Sequence, residues 1–166
     1  AFALLDRFVA AGGTTIDTSN CGSPTGIPDI ESEASIGAWL WLNPGIRERL
    51  RFSTAITADP PASESGASGN SSSGALEGSV RRSCDRFGVD YLDLCWVGRE
   101  NRVFTIESTT EAMGALVSGG TVHRLGLANH PTWLLERARA YAARNGLQPF
   151  TAVQLATSYI AARPGT

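Results

Sequence analysis

A carboxylate at position 17 is the side chain of this chain best placed to carry out acid–base chemistry. Asp17 follows a short β-branched run, Thr14 to Ile16, which is typical of a strand. The same order, an apolar strand followed by polar residues, recurs four more times along the chain. In a parallel α/β fold the active site forms at the carboxyl ends of the strands. The sequence therefore predicts Asp17 as a catalytic acid or base, with a buried carboxylate that caps backbone N–H groups as the alternative.

Polar and aromatic residues near the ends of later strands are the candidates to act with Asp17. His130 precedes a helix that starts at Pro131, and a histidine exchanges protons near neutral pH. We predict His130 as a second catalytic residue, with a solvated loop histidine as the alternative. Trp96 ends an apolar strand and is the tryptophan best placed to line a pocket. Arg99 follows in a charged loop that could bind a polar ligand or simply be solvated.

The three cysteines, Cys21, Cys84 and Cys95, form no CxxC pair and no metal-ligand spacing, so no metal site is predicted. Cys84 falls in a predicted helix and Cys95 in a predicted strand, where a small buried hydrophobic side chain is the usual role. Cys21 could act as a nucleophile only if a base such as His130 lowered its pKa.

Composition limits the partners and the compartment. The net charge of −2 argues against nucleic acid as a main partner, and the sequence shows neither a membrane-spanning run nor a signal-peptide layout. All 14 basic residues are arginine, which excludes lysine-dependent chemistry within this chain. We expect a cytoplasmic protein with a small-molecule ligand, and the arginine bias with alanine-rich helices suggests a bacterial source.

Strand and helix patterns alternate along the chain. The predicted strands are 14–17, 50–56, 91–96, 122–128 and 151–155, and the predicted helices are 3–9, 31–42, 76–87, 106–117 and 131–145. Five strands separated by four helices indicate an α/β fold with a parallel sheet or a barrel segment. Residues 58–74 are nearly all Ala, Ser, Gly, Pro and Glu and predict a flexible loop within one domain spanning 1–166.

A closed (β/α) barrel needs eight units and roughly 250 residues. Five units predict an incomplete barrel, or one that a partner chain completes. An open, doubly wound sheet is the alternative. Five parallel strands would leave two edges and an apolar face uncovered, which favours self-association, with a homodimer as the expected assembly.

Several segments, in the right order, resemble the aldo-keto reductases. They are residues 11–20 (AGGTTIDTSN), 32–40 (SEASIGAWL), 83–94 (SCDRFGVDYLDL), 125–129 (LGLAN) and 154–163 (QLATSYIAAR). The resemblance implies a TIM-type (β/α)8 barrel that reduces carbonyls with NADPH. It also implies a catalytic tetrad of Asp, Tyr, Lys and His, in which the tyrosine donates a proton to the carbonyl while Lys and His tune its acidity.

Only the aspartate of that tetrad is present. Asp17 matches it, whereas Gly22 stands where the tyrosine belongs, Ala55 where the lysine belongs and Gly98 where the histidine belongs. Glycine and alanine side chains can neither donate a proton nor stabilise an oxyanion. We therefore expect the redox chemistry to be lost, as in a pseudoenzyme.

The resemblance also assigns residues to the nicotinamide amide. The family uses a Ser-Asn pair and a glutamine; this chain keeps Asn129 and Gln154 but has Ala128 in place of the serine. We expect no cofactor, or NADPH if the protein is a reductase after all. Together with Trp96 and Arg99, the predicted substrate-binding residues are Asn129, Gln154 and Tyr159.

Three functions are compatible with these residues. The first is a non-redox conversion of a small molecule, such as cyclisation, isomerisation or dehydration. The second is a non-catalytic accessory or binding role. The third is NADPH-dependent carbonyl reduction with an altered site or one completed in trans.

Overall fold

The structure is a computed structural model that describes residues 1–19, 30–56, 72–98 and 104–157. Its α-helices are α1 (Phe2–Ala10), α2 (Ile30–Leu42), α3 (Ser72–Phe87), α4 (Ile106–Ser118) and α5 (Thr132–Asn145), with a 3-10 turn at Ile46–Arg49. Its strands are β1 (Thr15–Ser19), β2 (Arg51–Ile56), β3 (Leu94–Val97), β4 (Leu125–Ala128) and β5 (Phe150–Gln154).

The five strands form one parallel sheet in the order β1-β2-β3-β4-β5, so every strand pairs with its neighbour along the chain. This sequential order, with a helix between consecutive strands, is that of a (β/α) barrel. The alternative order of a doubly wound sheet, which reverses direction part-way along the chain, is not found among the described strands.

One face of the sheet is covered by helices and forms the apolar core. Alternate residues along β2 illustrate this, since Phe52 and Ile56 are fully buried in it together with Phe87 of α3. The rings of Phe52 and Phe87 lie 5.5 Å apart, centroid to centroid, in a tilted contact. Cys84 and Cys95 are both buried in the same core, as predicted, and burial raises the pKa of the Cys84 thiol to about 11.

The other face, here called the inner face, is polar near its centre and strongly curved. Gln154 on β5 donates a hydrogen bond of 3.1 Å from Nε2 to Oδ2 of Asp17 on β1. Four strand spacings separate β1 from β5, which is roughly 19 Å in a flat sheet and beyond the reach of two side chains. The hydrogen bond is possible because the sheet bends into an arc, as a barrel wall does.

The predicted elements are confirmed in type, and the ends of four of them, β1, β3, β4 and α3, differ by two residues or more. The strand predicted at 91–96 is shorter, because the Asp93 carboxylate accepts the N–H of Phe52 (2.9 Å) and Leu92 forms only an isolated bridge with Val122. Helix α3 begins at Ser72, inside the loop predicted over 58–74; residues 58–71 of that loop lie outside the described residues. Within the described ranges, no helix is long and apolar enough to cross a membrane.

Candidate functional site

Asp17 lies within β1 and not at its end. The strand continues through Thr18 and Ser19, which pair with Thr54 and Ala55 of β2. The expectation that β1 ends at Asp17 was therefore wrong. Asp17 is instead the register partner of Ser53, and its side chain is exposed on the inner face of the sheet.

Three hydrogen-bond donors from three other strands converge on this carboxylate. Ser53 Oγ and Trp96 Nε1 both donate to Oδ1, the latter at 2.9 Å, and Gln154 Nε2 donates to Oδ2. We call Asp17, Ser53, Trp96 and Gln154 the inner-face cluster. All three donors are uncharged. A carboxylate has about four acceptor positions, and one on Oδ2 is not occupied by any donor among the described residues.

The indole of Trp96 lies between the two smallest side chains of the neighbouring strands. Its register partners are Ala55 on β2 and Gly126 on β4. A Cβ atom on Gly126 would lie 2.3 Å from Cε3 and Cζ3 of Trp96, so the benzene ring of the indole rests directly on the glycine backbone. Gly126 therefore makes the space that lets the indole reach across to Asp17.

Asn129 holds the segment that follows β5. It has a left-handed backbone, with φ of 62°, a conformation that asparagine tolerates better than most residues. Its N–H donates to the carbonyl of Gln154 and its Oδ1 accepts the N–H of Ala156, both at 2.7 Å. Asn129 thus fixes the carboxyl end of β5, where Gln154 begins its reach towards Asp17.

His130 is buried at the ends of β3 and β4. Its ring is 5% exposed, and Nε2 lies 2.7 Å from the carbonyl oxygen of Gly98. A carbonyl can only accept, so Nε2 carries the proton in this contact. Nδ1 is buried without a hydrogen-bond partner among the described residues.

The structure brings together Asp17, Trp96 and Gln154 of the predicted site residues. No hydrogen bond joins Asp17 to His130 or Asn129 in the described part of the chain. The roles predicted for these residues remain predictions, and Arg99, Tyr159 and Cys21 lie outside the described residues.

Sequence reasoning missed two residues of this site. Ser53 is a polar residue inside an apolar strand, and Gly126 is a lone glycine inside another. A glycine within a strand often marks the close approach of another group, which was the available signal for Gly126.

A cavity of about 280 Å³ lies elsewhere, at the amino ends of β2 and β3. Its lining includes Trp41, Arg47 and Tyr91. Because parallel strands place their amino ends at one edge of the sheet, this cavity is separated from the edge where His130 and Asn129 lie. The geometry of the inner-face cluster, and not the cavity, therefore marks the candidate site.

Comparison with known proteins agrees with this fold. A model of the aldo/keto reductase family matches residues 1–164. The chain belongs to this family. Among solved structures, a thermostable aldo-keto reductase, Tm1743, in complex with the inhibitor epalrestat has a TM-score of 0.72 at 23% identity, over 93% of this chain and 48% of that chain. That similarity establishes the barrel-type fold alone.

Relatives with named activities are reductases and dehydrogenases. Aryl-alcohol dehydrogenase GME11368 of Pestalotiopsis microspora is 33% identical over 158 residues, covering 93% of this chain and 39% of that protein. Norsolorinic acid reductase stcV of Emericella nidulans is 33% identical over 159 residues, with the same coverage of both chains. The chain thus spans about two fifths of their length. These relatives are fungal and do not support the bacterial source predicted from composition.

Of the four positions that the family resemblance assigns to its tetrad, the structure describes Asp17, Ala55 and Gly98. Ala55 is buried in β2, on the same face as Trp96, and presents only a methyl group. Gly98 offers its backbone carbonyl to His130 and has no side chain. Gly22 lies outside the described residues. Of the family's acid–base groups, the described chain therefore keeps the aspartate alone.

The nicotinamide contacts expected for an aldo/keto reductase do not fit the residues present. Of the three assigned positions, Ala128 is a buried methyl group. Asn129 Oδ1 is bonded to the N–H of Ala156, and Gln154 Nε2 is bonded to Asp17. The serine hydroxyl is missing, and one polar atom of each amide already holds an internal hydrogen bond, so the contact set is incomplete and we derive no step through NADPH.

Proposed function

We propose that this chain carries out a non-redox conversion of a small molecule, with Asp17 as a general base. The observation that carries the proposal is the convergence of three neutral donors on an exposed carboxylate. These donors fix the carboxylate in place, and none of them carries a positive charge.

The chemistry follows from the acceptor position on Oδ2 that no described donor occupies. Asp17 Oδ2 would accept a proton from a carbon next to a carbonyl, and the C–H electron pair would move into an enolate. Return of the proton to another atom gives isomerisation, and loss of a hydroxide from the neighbouring carbon gives dehydration. A positioned general base typically contributes roughly 100- to 10,000-fold in rate.

Hydride transfer is less well supported by the site. Ala55 and Gly98 supply no proton donor and no cation, and the chain contains no lysine. The side-chain amides of Asn129 and Gln154 are bonded within the protein. A reaction that requires only a base matches the groups that are present.

The proposal is tested by hydrogen exchange. We would incubate the protein with 1-indanone, an enolisable aryl ketone, in D₂O and follow loss of the α-proton signal by NMR. We expect exchange above the buffer rate that falls to the buffer rate in Asp17→Asn. Asp6→Asn is the matched control, because Asp6 also accepts an indole N–H, from Trp39 at 2.8 Å, but lies on α1. Equal exchange in wild type and Asp17→Asn would overturn the proposal.

A second candidate function is NADPH-dependent carbonyl reduction at a site that another chain completes. It is favoured by the names of the relatives, aryl-alcohol dehydrogenase and norsolorinic acid reductase, and by the family itself. The same reaction mixtures, supplied with NADPH, distinguish the two. Consumption of NADPH that depends on the ketone would support reduction, whereas proton exchange without consumption would support the non-redox conversion.

A non-catalytic accessory role, in which the chain binds a small molecule without converting it, is the remaining alternative. Ligand binding without exchange or NADPH consumption would favour the accessory role.

The proposed homodimer is supported by exposed apolar side chains, among them Leu4 on α1 and Val153 on β5. Sedimentation velocity over a range of concentrations tests it, and a single monomer boundary throughout would exclude it.

A further inference from the structure

The indole of Trp96 lies across the inner face of the sheet. Its benzene edge rests on Gly126 of β4, while its pyrrole N–H reaches Asp17 of β1. Contacts at both edges hold the ring along the sheet surface. Trp96 is only half-buried, so part of the ring is accessible.

The indole of Trp96 and the carboxylate of Asp17 thus lie side by side. The first is the accessible part of the indole, a ring that can stack on planar aromatic groups. The second is Asp17 Oδ2, whose remaining acceptor position requires a hydrogen-bond donor and whose charge no described cation neutralises. Because Trp96 is itself bonded to Asp17, the spacing between these two features is fixed.

We propose that Trp96 is the stacking floor for a planar aromatic ligand whose hydroxyl or N–H group donates to Asp17 Oδ2. This inference rests on the proposed function in using the same site, and it adds the class of ligand. Gly126 is a positioning residue in this scheme, since any side chain there would lift the indole from the sheet.

The test uses three probes that differ in one property each. The first, 2-naphthol, is planar and carries a donor; 2-methoxynaphthalene is planar without a donor; trans-2-decalol carries a donor but is not planar. Calorimetry gives each Kd, and the indole N–H resonances of ¹⁵N-labelled protein report the site. We expect 2-naphthol to shift the Trp96 resonance and to bind roughly tenfold more tightly than 2-methoxynaphthalene, because a hydrogen bond to a charged group is lost.

Variants separate stacking from hydrogen bonding. Trp96→Leu should weaken 2-naphthol about 2- to 12-fold, the range for one aromatic pair, while Trp96→Phe should retain most of the affinity. Trp133→Leu is the matched control, since Trp133 is exposed on α5. An unchanged affinity of Trp96→Leu for 2-naphthol would overturn the inference. Equal affinities of the wild-type protein for trans-2-decalol and 2-naphthol would also overturn it.

The outcomes also separate this inference from the proposed function. Trp96-dependent binding of 2-naphthol without proton exchange of 1-indanone would uphold the stacking floor and reject the general base. The opposite result would be proton exchange that depends on Asp17, with neither the exchange nor the affinity for 2-naphthol affected by Trp96→Leu. That result would uphold the general base and reject the stacking floor.

Discussion

Two carboxylates lie on opposite faces of β2 and are held in different ways. On the helix-covered face, Glu33 is 0% exposed; Thr54 Oγ1 donates to it at 2.7 Å and Arg86 pairs with it at 2.6 Å. On the inner face, Asp17 is exposed and is held by neutral donors, including Ser53, the residue before Thr54.

The difference in burial and in partners indicates a structural role for Glu33 and a ligand-binding role for Asp17. Glu33 joins α2 to α3 and β2, and its charge is neutralised by a guanidinium inside the core. A buried ion pair of this kind is costly to break because the remaining charge is left without water or a partner. Asp17 keeps its charge unneutralised by any described residue, so it remains available to a ligand.

Removing the cation from the buried pair should have the largest effect. Arg86→Leu leaves Glu33 charged in the core, and we expect the free energy of unfolding to fall by about 3 kcal/mol or more in urea denaturation. Arg81→Leu removes an exposed (i, i+4) partner of Glu77 on the same helix and should cost about 0.5 kcal/mol. Similar losses in the two variants would contradict a structural role for Glu33.

Adding a methyl group beneath Trp96 should have an intermediate effect. Gly126→Ala forces the indole away, and we expect a loss of about 1–3 kcal/mol from overpacking. The Trp96 indole N–H resonance should also lose its hydrogen-bonded shift. Gly114→Ala serves as the control, because its new Cβ meets Leu147 at an ordinary 3.5 Å inside α4, where alanine favours the helix. A Trp96 resonance that stays in place in Gly126→Ala would show that the close contact is not needed.

Neutralising Asp17 should affect activity far more than stability. Asp17→Asn alters three hydrogen bonds at an exposed position, so we expect the free energy of unfolding to change by about 1 kcal/mol. The loss of proton exchange described above should nevertheless be complete. A destabilisation as large as that of Arg86→Leu would place Asp17 with Glu33 as a structural carboxylate.

A surface pair between α4 and α5 should give the smallest effect, with a defined pH dependence. A hydrogen bond from its own backbone, followed by one from Arg137 at 2.7 Å, lowers the pKa of Glu107 from its usual 4.5. The unfolded chain thus binds this proton more readily, so the stabilisation is present above pH 4.5 and is lost as the pH falls through the lower folded pKa. Arg137→Leu should cost less than about 1 kcal/mol at pH 7, and its difference from wild type should shrink in acid. A difference that grows in acid would contradict this sign.

The fold was predictable from local signals. Glycines follow several helices, for example Gly88 after α3 and Gly146 after α5, both with the positive φ that glycine tolerates, so the ends of these helices are marked in the sequence. The β2 strand was recognised from its apolar and β-branched residues. These signals depend only on neighbours along the chain.

The candidate site was predictable only in part. Asp17, Trp96 and Gln154 could be singled out, but their meeting depends on the register of four strand pairs and on the bend of the whole sheet. The burial of His130 against Gly98 likewise depends on how two strand ends are placed in space. No local pattern encodes such distances.

The alternation of side chains along β2 also protects the fold against one kind of error. Consecutive residues of a strand point to opposite faces, so a slip of β2 by one position would carry Phe52 and Ile56 out of the core and onto the inner face. Depending on the direction of the slip, Phe52 would replace the hydroxyl beside Asp17 or Ala55 would replace the one beside Glu33. A misregistered sheet would therefore lose core packing and a carboxylate partner together, which favours the correct alignment of this strand during folding.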